Sequence, residues 1–211
     1  MSEEAKIHLS ALEMELVNNT EWIFTKQIII GKVYHLFGHI NDVYKEIIAQ
    51  EKESLPAVFQ KQGGKITKGE NYYGLPYLIL DFPAMFSREN IFAVRTMFWW
   101  GNFFSISLHL SGRHFTQRTG ILKSIVYLKE KGFFVCVNES EWEHNFHSAN
   151  FVDANELKEE DLANIIRKSF FKIAKKIELA DWESAPSFLE QSFKEIIGFI
   201  KISYPAGERV P

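Results

Sequence analysis

Apolar and polar positions in this chain follow a helical period at its start, a strand-like period in its middle and a helical period again near its end. From about Glu21 to Gln50 the apolar residues are Trp22, Ile23, Ile29, Ile30, Val33, Leu36, Phe37, Ile40, Val43, Tyr44, Ile47 and Ile48. At 100° per residue they fall on one broad arc, which predicts a long amphipathic helix. A shorter helix precedes it, capped by Ser2 and carrying Ile7, Ala11, Leu12 and Leu16. Asn18-Asn19-Thr20 supplies the break and a second N-cap. Gly31 and Gly38 lie opposite the apolar arc. Each costs about 1 kcal/mol of helix propensity, so a bend or a close approach is expected there.

Leu55 to Gly74 reads as a glycine-punctuated loop with room for a short strand at Lys65–Lys68. Leu75–Phe82, Ile91–Trp100 and Phe103–Ser111 are predicted strands, with 83–90 as a connection. Gly101-Asn102 fits a two-residue type II′ turn, because glycine accepts positive φ without strain. Such a turn makes paired residue numbers sum to 203, setting Trp100 opposite Phe103, Thr96 opposite Ser107 and Val94 opposite His109. One face then carries Phe92, Phe98, Trp100 and Phe103 with Thr96, Ser105, Ser107 and His109. The other carries Arg95, Met97 and Trp99 with Phe104, Ile106, Leu108 and Leu110. Both faces are rich in apolar groups, so both should be covered.

Further on, 121–131 is read as a helix and Phe133–Val137 as a short buried strand. Two helices close the pattern. One runs from about Lys158 to Glu178, with Leu162, Ile166, Phe170, Ile173 and Ile177 as its stripe and Arg167, Lys168, Lys172, Lys175 and Lys176 as a basic flank. The other starts at Ser184-Ala185-Pro186 and ends near Lys201. The sum is a single α+β domain over 1–211: helical at 1–52, a sheet region at 65–137 and helical at 158–201. Its antiparallel sheet has about four or five strands, packed by an N-terminal and a C-terminal helix pair.

Composition narrows the class. The 211 residues are 46% apolar and 24% charged, which excludes a disordered or low-complexity chain. A chain of this length buries about 70% of its unfolded surface and needs neither disulfide nor metal to fold. Lys plus Arg number 24 and Asp plus Glu 27, giving a net charge of −3, against a nucleic-acid binder built on a basic field. The single cysteine, Cys136, has no intrachain partner, and the first residues carry acids where a signal peptide would carry bases. With no run of 18 apolar residues, the expectation is a soluble, cytoplasmic protein that makes no use of a membrane.

Candidate chemistry is sparse. Arg95 sits on an apolar strand and cannot shed its charge, so it needs an acceptor, for which Asp81 is a candidate, or a bound anion. Arg95, Phe98, Trp100, Ser105, Ser107 and His109 have the mixture of aromatic walls and a few polar groups that small-molecule pockets contain. On the long helix His35, His39, Asp42 and Glu46 recur one turn apart, and His35, His39 and Asp42 could share a divalent metal. Glu141, Glu143, His144 and His147 form a second polar cluster. The motifs of phosphate-binding loops, zinc peptidases and serine hydrolases are missing. The leading expectation is a non-catalytic, ligand-binding or protein-interaction domain with an aromatic-rich sheet face, with self-association as one use of that face. No cofactor is required. The alternative is a metal-dependent hydrolase on His35, His39 and Asp42.

Overall fold

The strands are β1 (Lys65–Tyr72), β2 (Leu75–Phe86), β3 (Ile91–Trp99), β4 (Phe103–Ser111), β5 (Phe134–Cys136), β6 (Phe151–Asp153) and β7 (Phe170–Glu178). The α-helices are α1 (Ala11–Asn18), α2 (Thr20–Gln50), α3 (Ile125–Glu130), α4 (Glu159–Arg167) and α5 (Ala185–Ser203). In this computed structural model, which describes residues 7–55, 57–60, 63–115, 120 and 124–203, the strands form one sheet in the order β1-β2-β3-β4-β7-β5-β6. Every pairing in it is antiparallel. The expected α+β class holds, but the sheet has seven strands rather than four or five.

The largest correction concerns 158–178. The helix there ends at Arg167, and Phe170–Glu178 is a strand paired along its whole length with β4. The spacing of Leu162, Ile166, Phe170, Ile173 and Ile177 imitated a helical stripe. Phe171, Ile173 and Ile177 also satisfy the two-residue period, and the unpaired edge of β4 selects the strand. Of the lysines assigned to a helix flank, Lys172, Lys175 and Lys176 therefore lie in the sheet, and Lys172 is 1% exposed. The second difference lies in β2, which continues to Phe86 instead of ending at Phe82. Its register shifts between Asp81 and Ala84, across the cis Phe82–Pro83 bond. Such a bulge is where an interior strand tolerates a residue that cannot donate to the ladder.

The even-numbered side chains of β3 and β4, among them Phe92, Val94, Phe98, Phe104, Ile106, Leu108 and Leu110, form the main core with α2 and α5. Tyr44 of α2 stacks on Phe193 of α5 at 3.8 Å between ring centres, and its hydroxyl lies 3.0 Å from that of fully buried Thr96 on β3. One aromatic residue thus ties both helices to the sheet. The N-terminal pair does not pack as a pair: α2 has no buried residue before Ile30, and α1 has none. Ser10 caps α1 through a capping box with Glu13, and Asn19 caps α2 by accepting from the Trp22 amide at 2.9 Å. Ser2 lies outside the described residues. Nothing approaches a Cβ built at Gly31 or Gly38, so no close packing occurs there. No helix among the described residues is long and apolar enough to cross a membrane.

Truncating Phe193 should therefore be costly. Phe193→Ala is expected to lower unfolding free energy by about 3–5 kcal/mol in urea titrations, the range for a fully buried phenylalanine. A loss below about 1 kcal/mol would show that the Tyr44 stack does not hold the helix layer to the sheet.

Candidate functional site

The register of the central hairpin decides which polar residues meet. Trp99 pairs with Phe103 and Arg95 with Ser107, so paired numbers sum to 202, not 203. The connection has three residues, with Gly101 at φ +71°. Trp100 leaves the β3–β4 ladder because its amide donates across the sheet to the Pro76 carbonyl at 3.1 Å. A slip of one residue exchanges the faces of one strand relative to the other. Both predicted faces are thereby corrected: Arg95, Ser105, Ser107 and His109 share the face away from the helices. Phe98 points into the helix-covered core beside Phe104 and Trp182, and Trp100 lies in the turn against Phe98 and Trp22. Neither joins the polar group.

The neighbouring strands complete a row across the sheet. Asp81 of β2 pairs with Arg95, Arg95 with Ser107, and Ser107 with Ala174 of β7, while His109 pairs with Lys172. Segment 138–150 covers this row. Tyr72 fastens it: its hydroxyl accepts from the His144 and Asn145 amides at 2.7 and 3.1 Å and donates to Glu143 at 3.0 Å. Asn150 donates to the Asn145 carbonyl, and Phe146 packs on Phe103, Phe134 and Phe151. Between the covering segment and the row there is no space for a water molecule.

Two cations are enclosed there. Arg95 forms a two-pronged pair with Asp81, at 2.8 Å from Nε and 3.0 Å from Nη2, as its placement on an apolar strand requires. Its Nη1 donates to Nε2 of His144 at 3.0 Å. Among the described residues Lys172 has no carboxylate at bonding distance. Its Nζ reaches the backbone carbonyls of Glu141 and Glu143, at 3.0 and 2.5 Å, and Nδ1 of His144 at 3.2 Å.

Proton counting fixes the state of this chain of bonds. A guanidinium only donates, so Nε2 of His144 accepts, and the ring proton of a neutral imidazole is then on Nδ1. Nδ1–H faces Lys172, which accepts it in the amine form that prevails above about 8: two N–H bonds then go to the carbonyls and the lone pair accepts. Burial pushes the Lys172 ammonium down to about 8, with the Arg95 charge acting in the same direction. Burial, then Lys172 and Arg95, likewise hold His144 well below the imidazole range and bring His109 down to about 3. Neutral His109 therefore donates Nε2–H to Glu141 at 2.9 Å, whose carboxyl is itself raised by burial. Tyr72 is pushed up to about 12, chiefly by burial.

The other candidates stay apart. His35, His39, Asp42 and Glu46 are exposed on α2, and the Asp42 carboxylate pairs with Lys45 at 2.8 Å. Glu141, Glu143 and His144 turn to three different partners, and His147 is exposed. Among the described residues no group of three or more His, Cys, Asp or Glu is placed to hold a metal ion. Cys136 is buried beside Asn150, and burial raises its thiol. Lys172 was missed as a member of the site, although a lysine inside Phe170-Phe171-Lys172-Ile173-Ala174 is the signal that could have found it. Compared with protein-family models, curated proteins and solved structures, the chain matches none.

Asp81→Ala should cost about 3–5 kcal/mol of stability by stranding the Arg95 charge, while the Asp81→Leu/Arg95→Leu pair should come near neutral. Equal losses in the two proteins would mean that the ion pair stabilises in its own right. A pH test follows from Lys172, whose folded pKa lies below its unfolded value. The unfolded chain binds the extra proton between about 8 and 10.4, so this group adds stability as pH rises through that window. The stability difference between the native chain and Lys172→Met should therefore shift in favour of the native chain from pH 8 to 10. A difference independent of pH would show that Lys172 keeps an ordinary pKa.

Proposed function

We propose that this chain is a non-catalytic binding protein that receives a small anion, a phosphate or carboxylate group, on the sheet face at Arg95 and Lys172, with 138–150 as its cover. The single observation that carries the reading is Lys172: a 99% enclosed amine met by carbonyl dipoles and an imidazole, with no carboxylate bonded to it. Carbonyl oxygens on a covering segment are partners that an anionic oxygen can replace. Ser105 and Ser107 line the same spot, and Arg95 adds a second positive group. Its single cysteine, unpaired and buried, suits a reducing, cytoplasmic setting.

Binding in this scheme takes up a proton. The anion favours the ammonium form of Lys172, the free protein gives up that proton above about 8, and affinity is linked to pH accordingly. Calorimetry with inorganic phosphate, sulfate and small mono- and dicarboxylates should find at least one ligand whose affinity falls as pH rises above about 8. Lys172→Met should abolish the heat of binding while remaining folded. If none of these anions at millimolar concentration gives heat or raises the melting temperature, the reading is wrong.

A further inference from the structure

The sheet face is not the surface with the largest unmet apolar area. Ten large apolar side chains between Ile7 and Ile28 are exposed, including Leu12 at 63%, Phe24 at 67% and Ile28 at 60%. At about 100 Å² each they leave on the order of 1,000 Å² of apolar surface uncovered, against about 800 Å² per partner in a stable interface. Scattered exposed residues need no explanation, but ten within 22 consecutive residues mark an interaction surface.

We propose that α1 and the first ten residues of α2 form a dimerisation arm that pairs with the same arm of a second copy. The apolar residues of the arm surround its helices instead of lining one side. On α2, Trp22, Ile23, Phe24 and Ile28 point in directions spread around the axis, and on α1 Leu12, Met14, Leu16 and Val17 do the same. Apolar side chains on several sides of a helix call for cover on more than one side, and a groove on a partner covers only one stripe. Two arms, one from each copy, bring four helices together so that each is flanked by others.

Charge supports a second copy in antiparallel orientation. The first part of the arm carries Glu13, Glu15 and Glu21; Lys26, 3.6 Å from Glu70, follows within it, and Lys32 lies three residues past its end. Antiparallel pairing sets the acidic part of each arm beside the basic part of the other, and a two-fold interface of this kind is self-complementary. The same distribution disfavours a membrane surface, which selects helices rich in lysine and arginine. Trp22 sets the root of the arm by packing edge-on against Trp100 in the β3–β4 turn, at 6.3 Å.

Light scattering and sedimentation of the full chain at tens of micromolar test this. The expected mass is that of two chains, dissociating on dilution. Leu12→Glu/Phe24→Glu should run as one chain and keep the urea midpoint that the native chain shows when diluted to monomer, because neither side chain is buried within one copy. Glu15→Lys/Glu21→Lys, which keeps the apolar surface, should weaken the dimer at least tenfold at low salt. A monomeric native chain would overturn the proposal. So would a dimer that survives the Leu12/Phe24 change, or an arm that binds anionic vesicles or another protein without self-association. A dimer indifferent to the Glu15/Glu21 change would overturn the antiparallel arrangement. These outcomes do not depend on whether the sheet face binds an anion.

Discussion

The enclosure of Arg95 and Lys172 on one face of a β-sheet is the constraint on which much of this structure depends. A guanidinium cannot neutralise itself, and an unpaired charge in a protein interior costs several kcal/mol. The molecule meets the two cations differently. Asp81 answers Arg95 with a carboxylate from the adjacent strand. Lys172 is answered by the carbonyls of a segment crossing above it, while its burial draws the ammonium down to about 8. The cover is therefore part of the electrostatic solution: without 138–150 the row of polar side chains would be open to water.

That arrangement ties together features that look separate along the chain. The bulge at 82–83 lets β2 run on past Asp81, which stays in register with Arg95. The three-residue turn places Ser105, Ser107 and His109 on the face of Arg95. Tyr72, at the end of the first hairpin, fastens the cover. Asp81, Arg95, His109, His144 and Lys172 all find partners on this face in the closed state. An anion must therefore replace existing bonds, so recognition is governed by exchange between carbonyl and anionic oxygens and by the proton that Lys172 gains.

Legibility in the sequence tracked the range of the forces involved. Helix α2, its Asn19 cap, α5 and the two central strands follow from local period and capping and were read directly. The Arg95–Asp81 pair was also legible, because a charge on an apolar strand demands an opposite charge nearby. What failed depended on partners distant in sequence. The hairpin register turned on whether the Trp100 amide paired with Phe103 or with Pro76, which no turn motif states. Strand β7 was hidden because Lys172, Lys175 and Lys176 suggested a solvated helix flank, whereas the sheet encloses Lys172. Of the six pocket candidates, Arg95, Ser105, Ser107 and His109 came together, because the one-residue slip sets odd-numbered residues of both strands on one face. Phe98 and Trp100 did not.

The protonation state of Lys172, free and with an anion bound, tests the account most directly. In protein labelled with carbon-13 at lysine Cε, the Lys172 resonance should titrate near 8 in the free state and move to higher pH when a binding anion is added. A Lys172 that titrates near the ordinary lysine value of about 10.4 and ignores every anion would contradict it.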